Sequence, residues 1–261
     1  MKFFVSLLLL ISFSTSFSQT NDVDNKYLED QFYLGLYYST LTSSPENFNQ
    51  NKFSSTLNFG FIRDLPLNNE RNFGVGIGAG LSLSSSSSNL KLNEINNVIS
   101  GEIVSGEDFT KNKWNTSSIE IPFEIRWRTS TPTNYKFWRV YAGIKTSYLL
   151  SSKYKFESLN NNYSLKDLPF RKTQSGITVN AGNNTWNLGL YMGLNPIFNE
   201  EFGQNNPELK NLKEFKVNIR IKLMQKFSEI KLPSNRKFGF FFTFVFAVAS
   251  AYFYNATSAS W

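Results

Sequence analysis

The sequence predicts an all-β fold, a transmembrane antiparallel up-and-down β-barrel of eight strands, with ten strands as the alternative. Three observations carry this expectation. Long stretches alternate apolar and polar residues with a period of two. Their polar partners are glycine, serine, asparagine and tyrosine with interspersed charge, and aromatic residues gather toward strand ends. Successive side chains of a strand point to opposite faces, so each stretch has one apolar wall for lipid and one polar wall for a confined, hydrated interior.

Before the first such stretch, Met1 and Lys2 lead into the apolar run Phe3 to Phe13 and the small-residue segment Ser14 to Ser18. This is the layout of a cleavable secretory signal over residues 1–18, with cleavage before Gln19. The run is too short to span a bilayer as a helix, and no cysteine follows it to carry a lipoprotein anchor. Residues 19–30 read as a flexible periplasmic leader, 31–255 as the barrel and 256–261 as a tail.

The first strand opens at Gln31, with Phe32, Leu34, Leu36 and Tyr38 opposite Tyr33, Gly35 and Tyr37. A second sets Phe53, Leu57, Phe59 and Phe61 against Ser54, Thr56, Asn58 and Gly60, ending near Arg63 and Asp64. In the third, Phe73 to Leu83 alternates with Gly74, Gly76, Gly78 and Gly80. A dinucleotide fingerprint needs Gly-x-Gly-x-x-Gly between a strand and a helix, whereas this spacing is strictly two and no helix follows. The glycines therefore mark a crowded inner face.

The polar segment 84–113 holds a weak hairpin pattern around Ile95 to Val104. Residues 114–128 form the fourth strand, the most regular of all. Ile119, Ile121, Phe123, Ile125 and Trp127 make its lipid wall, and Glu120, Glu124, Arg126 and Arg128 its lumen wall. The fifth places Trp138, Val140, Ala142 and Ile144 outward and Arg139, Tyr141, Gly143 and Lys145 inward. After a polar excursion, 151–185, the sixth begins at Trp186. The seventh sets Phe215, Val217, Ile219 and Ile221 against Lys216, Asn218, Arg220 and Lys222. The apolar run Phe238 to Tyr254 is then the eighth, closing strand. Turns after the second and fourth strands are short, as on the periplasmic side of such barrels, but the long stretch 199–214 after the sixth breaks that rule.

The chain has no histidine and no cysteine. Ser-His-Asp and Cys-His catalysis and histidine- or thiolate-bound metals are thereby excluded, and no disulfide framework holds the fold. No catalytic residue, metal or cofactor is expected. The net charge of +7 is dispersed, without the dense basic tract of a nucleic-acid arm. Glu102, Glu107 and Asp108 lack EF-hand spacing and read as a solvated loop. The inward charges, Glu120, Glu124, Arg126, Arg128, Arg139, Lys145, Lys216, Arg220 and Lys222, are expected to form a salt-bridged plug, since an eight-stranded barrel is about filled by its side chains. Trp138 and Trp186 join Ile119, Ile121, Phe123, Ile125 and Trp127 on the lipid side.

The signal ending in Phe-Ser-Gln, the alternating-glycine strand 73–80, the segment Ile119 to Trp127, and Tyr141-Ala142-Gly143-Ile144-Lys145 followed by Tyr148-Leu149-Leu150 resemble the small outer-membrane β-barrels of Bacteroidetes, the porin or PorT-like family. The resemblance implies the bacterial outer membrane and a barrel of about eight strands. Lipid and other envelope proteins are the expected partners. The expected role is a non-enzymatic subunit or scaffold of an envelope complex in secretion, gliding or outer-membrane assembly. A small passive pore or a loop-borne binder of an extracellular ligand is the alternative.

Overall fold

The computed structural model describes residues 31–50, 52–105, 109–129 and 137–224, the last three, 222–224, by backbone alone. Its strands are β1 (Gln31–Thr42), β2 (Ser55–Pro66), β3 (Phe73–Ser87), β4 (Leu90–Ile95), β5 (Val98–Ile103), β6 (Lys111–Arg128), β7 (Trp138–Glu157), β8 (Asn162–Lys166), β9 (Thr173–Asn183), β10 (Trp186–Gly193) and β11 (Lys213–Met224). A short helix, α1 (Glu200–Asn205), and a 3-10 turn (Pro207–Leu209) lie between the last two strands. Eight strands close into an antiparallel barrel in the order β1-β2-β3-β6-β7-β9-β10-β11, with β11 pairing back onto β1.

Seven barrel strands stand where the alternation places them, and the eighth does not. The run Phe238 to Tyr254 lies outside the described residues, and the seam is made without it, from Phe32 opposite Met224 to Thr42 opposite Lys213. The remaining strand is β9, inside the stretch read as a polar excursion. Its outer wall has only Ile177, Val179 and Ala181, and its inner wall is Gly176, Thr178, Asn180 and Gly182. Small and polar residues on one side and few apolar ones on the other hide the period of two. β9 joins β10 through residues 184–185, with Asn184 at φ 54°, a left-handed conformation that asparagine tolerates in a tight hairpin.

This strand also restores the rule of loop lengths. Short connections, 67–72, 129–137 and 184–185, gather at one end of the barrel, and long ones, 43–54, 88–110, 158–172 and 194–212, at the other. Short turns face the periplasm and long loops the exterior. The supposed exception at 199–214 is thus a fourth external loop.

The long connections fold together as a cap. A hairpin does form here, β4–β5, but its first strand begins at Leu90, ahead of the predicted Ile95 to Val104; it is turned by Asn96 and Asn97 at φ 52° and 63°, the twist that favours a two-residue hairpin. β6 and β7 overshoot the barrel wall, and β8 adds to the free upper edge of β7. Buried residues from all four connections share one apolar core, including Phe48, Leu90, Leu92, Phe170, Phe198, Phe202 and Leu212. Trp114, the first residue of the predicted fourth strand, is 5% exposed inside this core, with its ring 6.0 Å from Phe170. It lies on the inward parity of β6, where the strand has already left the lipid.

Candidate functional site

The barrel interior is built from sockets and bolts. Glycines on the inner wall leave room for large side chains from neighbouring strands. A Cβ on Gly76 would run into the Arg126 guanidinium, and one on Gly80 into the Tyr33 hydroxyl. The alternating glycines of β3 are therefore the space into which an arginine and a tyrosine pack, and they cradle no phosphate. Tyr33, Tyr37, Tyr141 and Tyr191, each at most 2% exposed, fill much of the remaining section.

The charges lie among these rings. Glu124 holds Arg126 at 3.1 Å and Arg220 at 3.2 Å, while Glu120 holds Lys145 at 2.8 Å and accepts a 2.8 Å hydrogen bond from Asn58. Arg220 also donates to the Tyr37 hydroxyl at 3.3 Å. Cationic groups lie over ring faces too: Arg126 over Tyr141 at 4.6 Å, Arg220 over Tyr33 at 4.7 Å and Lys145 over Tyr191 at 4.7 Å. Such contacts add an electrostatic attraction where water is thin.

Asp64 is the member that the sequence reading left out. It takes Arg128 in a two-pronged bond, 2.8 Å to Oδ1 and 2.7 Å to Oδ2, and Arg126 at 3.4 Å. Carrying the parity of Thr56, Asn58 and Gly60 two steps further along β2 would have placed Asp64 inward. The Arg128 Nε donates to the Arg71 carbonyl at 2.6 Å, fixing the guanidinium at the periplasmic turn.

The structure does not bring every predicted charge into this network. Lys216 pairs with Glu214 at 2.8 Å nearer the outer end, and its ammonium lies 5.4 Å from the Tyr191 ring centre. Arg139 is fully buried opposite Arg128, with its guanidinium 5.0 Å from the Phe137 ring and no hydrogen-bond acceptor among the described residues. The Lys222 side chain lies outside the description.

Above the ion pairs is a polar chamber of about 40 Å³, room for about three waters at roughly 10–15 Å³ each. Ser39, Ser82, Ser118 and Ser147 line its wall, Glu120 and Lys216 its floor, and Trp114 and Phe170 its roof. Asp64, Glu120 and Glu124 are all salt-bridged, so none stands as a free base facing the chamber.

The outer wall is apolar. Ile121, Phe123, Ile125, Trp127, Trp138 and Trp186 are 47–63% exposed, and Ile119 is half-buried. Phe73, Trp127, Trp138 and Trp186 ring the short-turn end. Tyr38 and Phe53, 5.5 Å apart, mark the other end with Tyr148. Two aromatic belts around an apolar band are the signature of a membrane-spanning barrel.

A closed eight-stranded barrel with a greasy exterior and a charged, filled interior defines an outer-membrane β-barrel protein. The profile of the outer membrane protein beta-barrel domain family matches residues 17–199, and the chain belongs to that family. Its location is the outer membrane. No curated relative matches significantly. Among solved structures, the chain is similar to two crystal structures of Ail, the attachment invasion locus protein of Yersinia pestis. One is in complex with the heparin analogue sucrose octasulfate, at 11% identity and TM-score 0.36, and the other is at 12% identity and TM-score 0.35. Each match covers 75% of this chain and 97% of the other.

Proposed function

We propose that the protein is a non-catalytic, membrane-embedded subunit of an envelope complex, of the PorT-like type found in Bacteroidetes, and that it engages its partners through the external cap. The signal over residues 1–18 would direct its export. The observation that carries this reading is the cap itself, in which all four external connections share one apolar core. Polar ties reinforce it: Asn49 N–H donates to Asn89 at 2.7 Å, Tyr163 to the Leu92 carbonyl at 2.8 Å, and Gly101 N–H to Asn206 at 3.0 Å. Loops left to solvate themselves need no such core. Ion pairs and tyrosines across the lumen argue against the passive-pore alternative. A loop-borne ligand binder is the second reading, favoured by apolar residues exposed at the cap's tips, Ile95, Val98 and Leu159.

The test is affinity capture of the tagged full chain from outer membranes in mild detergent. The subunit reading expects a stoichiometric protein partner whose recovery falls when Ile95, Val98 and Leu159 are changed to serine. Capture of no stoichiometric partner counts against it. Single-channel recording in planar bilayers is expected to be silent, and a steady anion-selective conductance would overturn the sealed lumen.

A further inference from the structure

Above the lipid band, the outward face of β6, β7 and β8 is a lysine field. Its cross-strand rows are Lys111, Glu157 and Asn162; then Lys113, Lys155 and Ser164; then Asn115, Lys153 and Lys166. Among the described residues, Glu157 is the one carboxylate paired with these five lysines, taking Lys111 at 2.7 Å and Lys155 at 2.6 Å. Lys113, Lys153 and Lys166 have no carboxylate within salt-bridge distance among the described residues. Two pairs of like charge stand directly opposite each other, Lys113 with Lys155 and Lys153 with Lys166. Such pairs, about 4.5–5.5 Å apart at Cβ, oppose the fold unless an anion joins them.

The field is stiffly backed. On the inward parity of the same strands, Trp114, Tyr154, Phe156 and Leu165 are buried in the cap core. Tyr154 donates to Asn112 at 2.8 Å and accepts from Leu92 N–H at 3.2 Å. The backbone positions that carry the lysines are thus held at fixed spacing by the fold.

Height along the wall selects the partner. A strand tilted by about 40° climbs roughly 2.5 Å per residue along the membrane normal, so Trp138 to Tyr148 spans about 25 Å, the height of the apolar band. Lys153 follows about 13 Å above Tyr148, on the same outward-facing wall. That wall looks sideways, over the lipid headgroups. We propose that this face binds the phosphorylated sugar headgroup of an outer-leaflet glycolipid, with Lys113, Lys153 and Lys166 as its phosphate ligands and the Lys155–Glu157–Lys111 chain as its upper rim. Lysines near an anionic lipid surface each strengthen association about fivefold. Three acting together give about 100-fold.

The experiment titrates the detergent-purified full chain with rough lipopolysaccharide, whose lipid A and inner-core sugars carry phosphate, and reads the bound fraction by native mass spectrometry. The expected result is retention of this lipid and loss of binding when it is dephosphorylated. The triple substitution Lys113→Gln, Lys153→Gln and Lys166→Gln is expected to weaken binding about 100-fold, and the corresponding triple arginine substitution to preserve it. Lys210→Gln, an exposed cap lysine on a different connection, is expected to change nothing. If the triple glutamine chain fails to fold, Lys153→Gln alone is read for its fivefold loss. Equal affinity for the dephosphorylated lipid, or for wild type and glutamine variants, overturns the proposal. So does tighter binding of soluble heparin than of the lipid at the same lysines, which would make the field a site for solvent-borne polyanions.

Discussion

Asp64→Asn is the substitution that probes the lumen most directly, because the two side chains have nearly the same shape. Asp64 is fully buried and accepts two bonds from Arg128, at 2.7 and 2.8 Å, besides its contact with Arg126 at 3.4 Å. Asparagine keeps one acceptor and turns an NH2 toward a guanidinium NH2. One charge-assisted bond, worth about 1.5–3 kcal/mol, is lost, and Arg128 loses the carboxylate that meets its guanidinium in a two-pronged bond. Removing one partner of a buried ion pair costs about 3–5 kcal/mol in total, whereas replacing both partners by apolar groups is often close to neutral. Asp64→Asn is therefore expected to destabilise the barrel by about 3–5 kcal/mol, and Asp64→Leu combined with Arg128→Met by much less. Urea unfolding in detergent micelles, followed by tryptophan fluorescence, measures both. A loss below about 1 kcal/mol for Asp64→Asn, with no relief in the double variant, would refute the plug as a bracing element.

Three further outcomes follow from the geometry. Phe123→Arg, in the middle of the lipid wall, should cost about 2–4 kcal/mol in the same unfolding assay. Phe198→Ala empties the cap core, where its ring lies 4.3 Å from Phe202, and should cost about 3–5 kcal/mol locally; faster amide exchange in the cap, with the barrel strands still protected, is the expected readout. Hydrogen bonds from Lys111 and Lys155 hold the Glu157 carboxyl down to about 2 from an ordinary value of 4.5, so its contribution is complete above about pH 4.5 and disappears as pH falls through 2. An NMR titration with a Glu157 midpoint near 4.5 would refute that pairing.

Much of the barrel was legible because lipid and lumen impose opposite demands on alternate residues. Where both demands were strong, as on β6 and β11, the strand and its facing could be read residue by residue. On β9 the lumen demanded only space for neighbouring groups, which Gly176 and Gly182 leave to Tyr191 and Asn187. An inner wall of glycine reads like loop. Asp64 was missed because the alternation was carried only to Gly60 and Phe61 and Asp64 was given to the turn, whereas β2 runs to Pro66. The cap left almost no trace, because Leu168, Phe170, Ile197, Phe198, Leu209 and Leu212 lie in irregular connections with no period and meet only through tertiary packing. Pairings such as Arg220 with Glu124 depend on the shear of the barrel, which a single strand does not encode.

The seam between β1 and β11 has a kinetic consequence. Leu41 finds its partner at Glu214, so β1, the first of the described strands, waits for β11, the last of them, before its edge is covered. Closing so large a loop is entropically slow, and an open eight-strand sheet presents bare edges and greasy faces to any neighbour. The nascent chain must therefore be escorted, unsealed, until residue 224 has arrived, and its time in transit is when aggregation threatens it most.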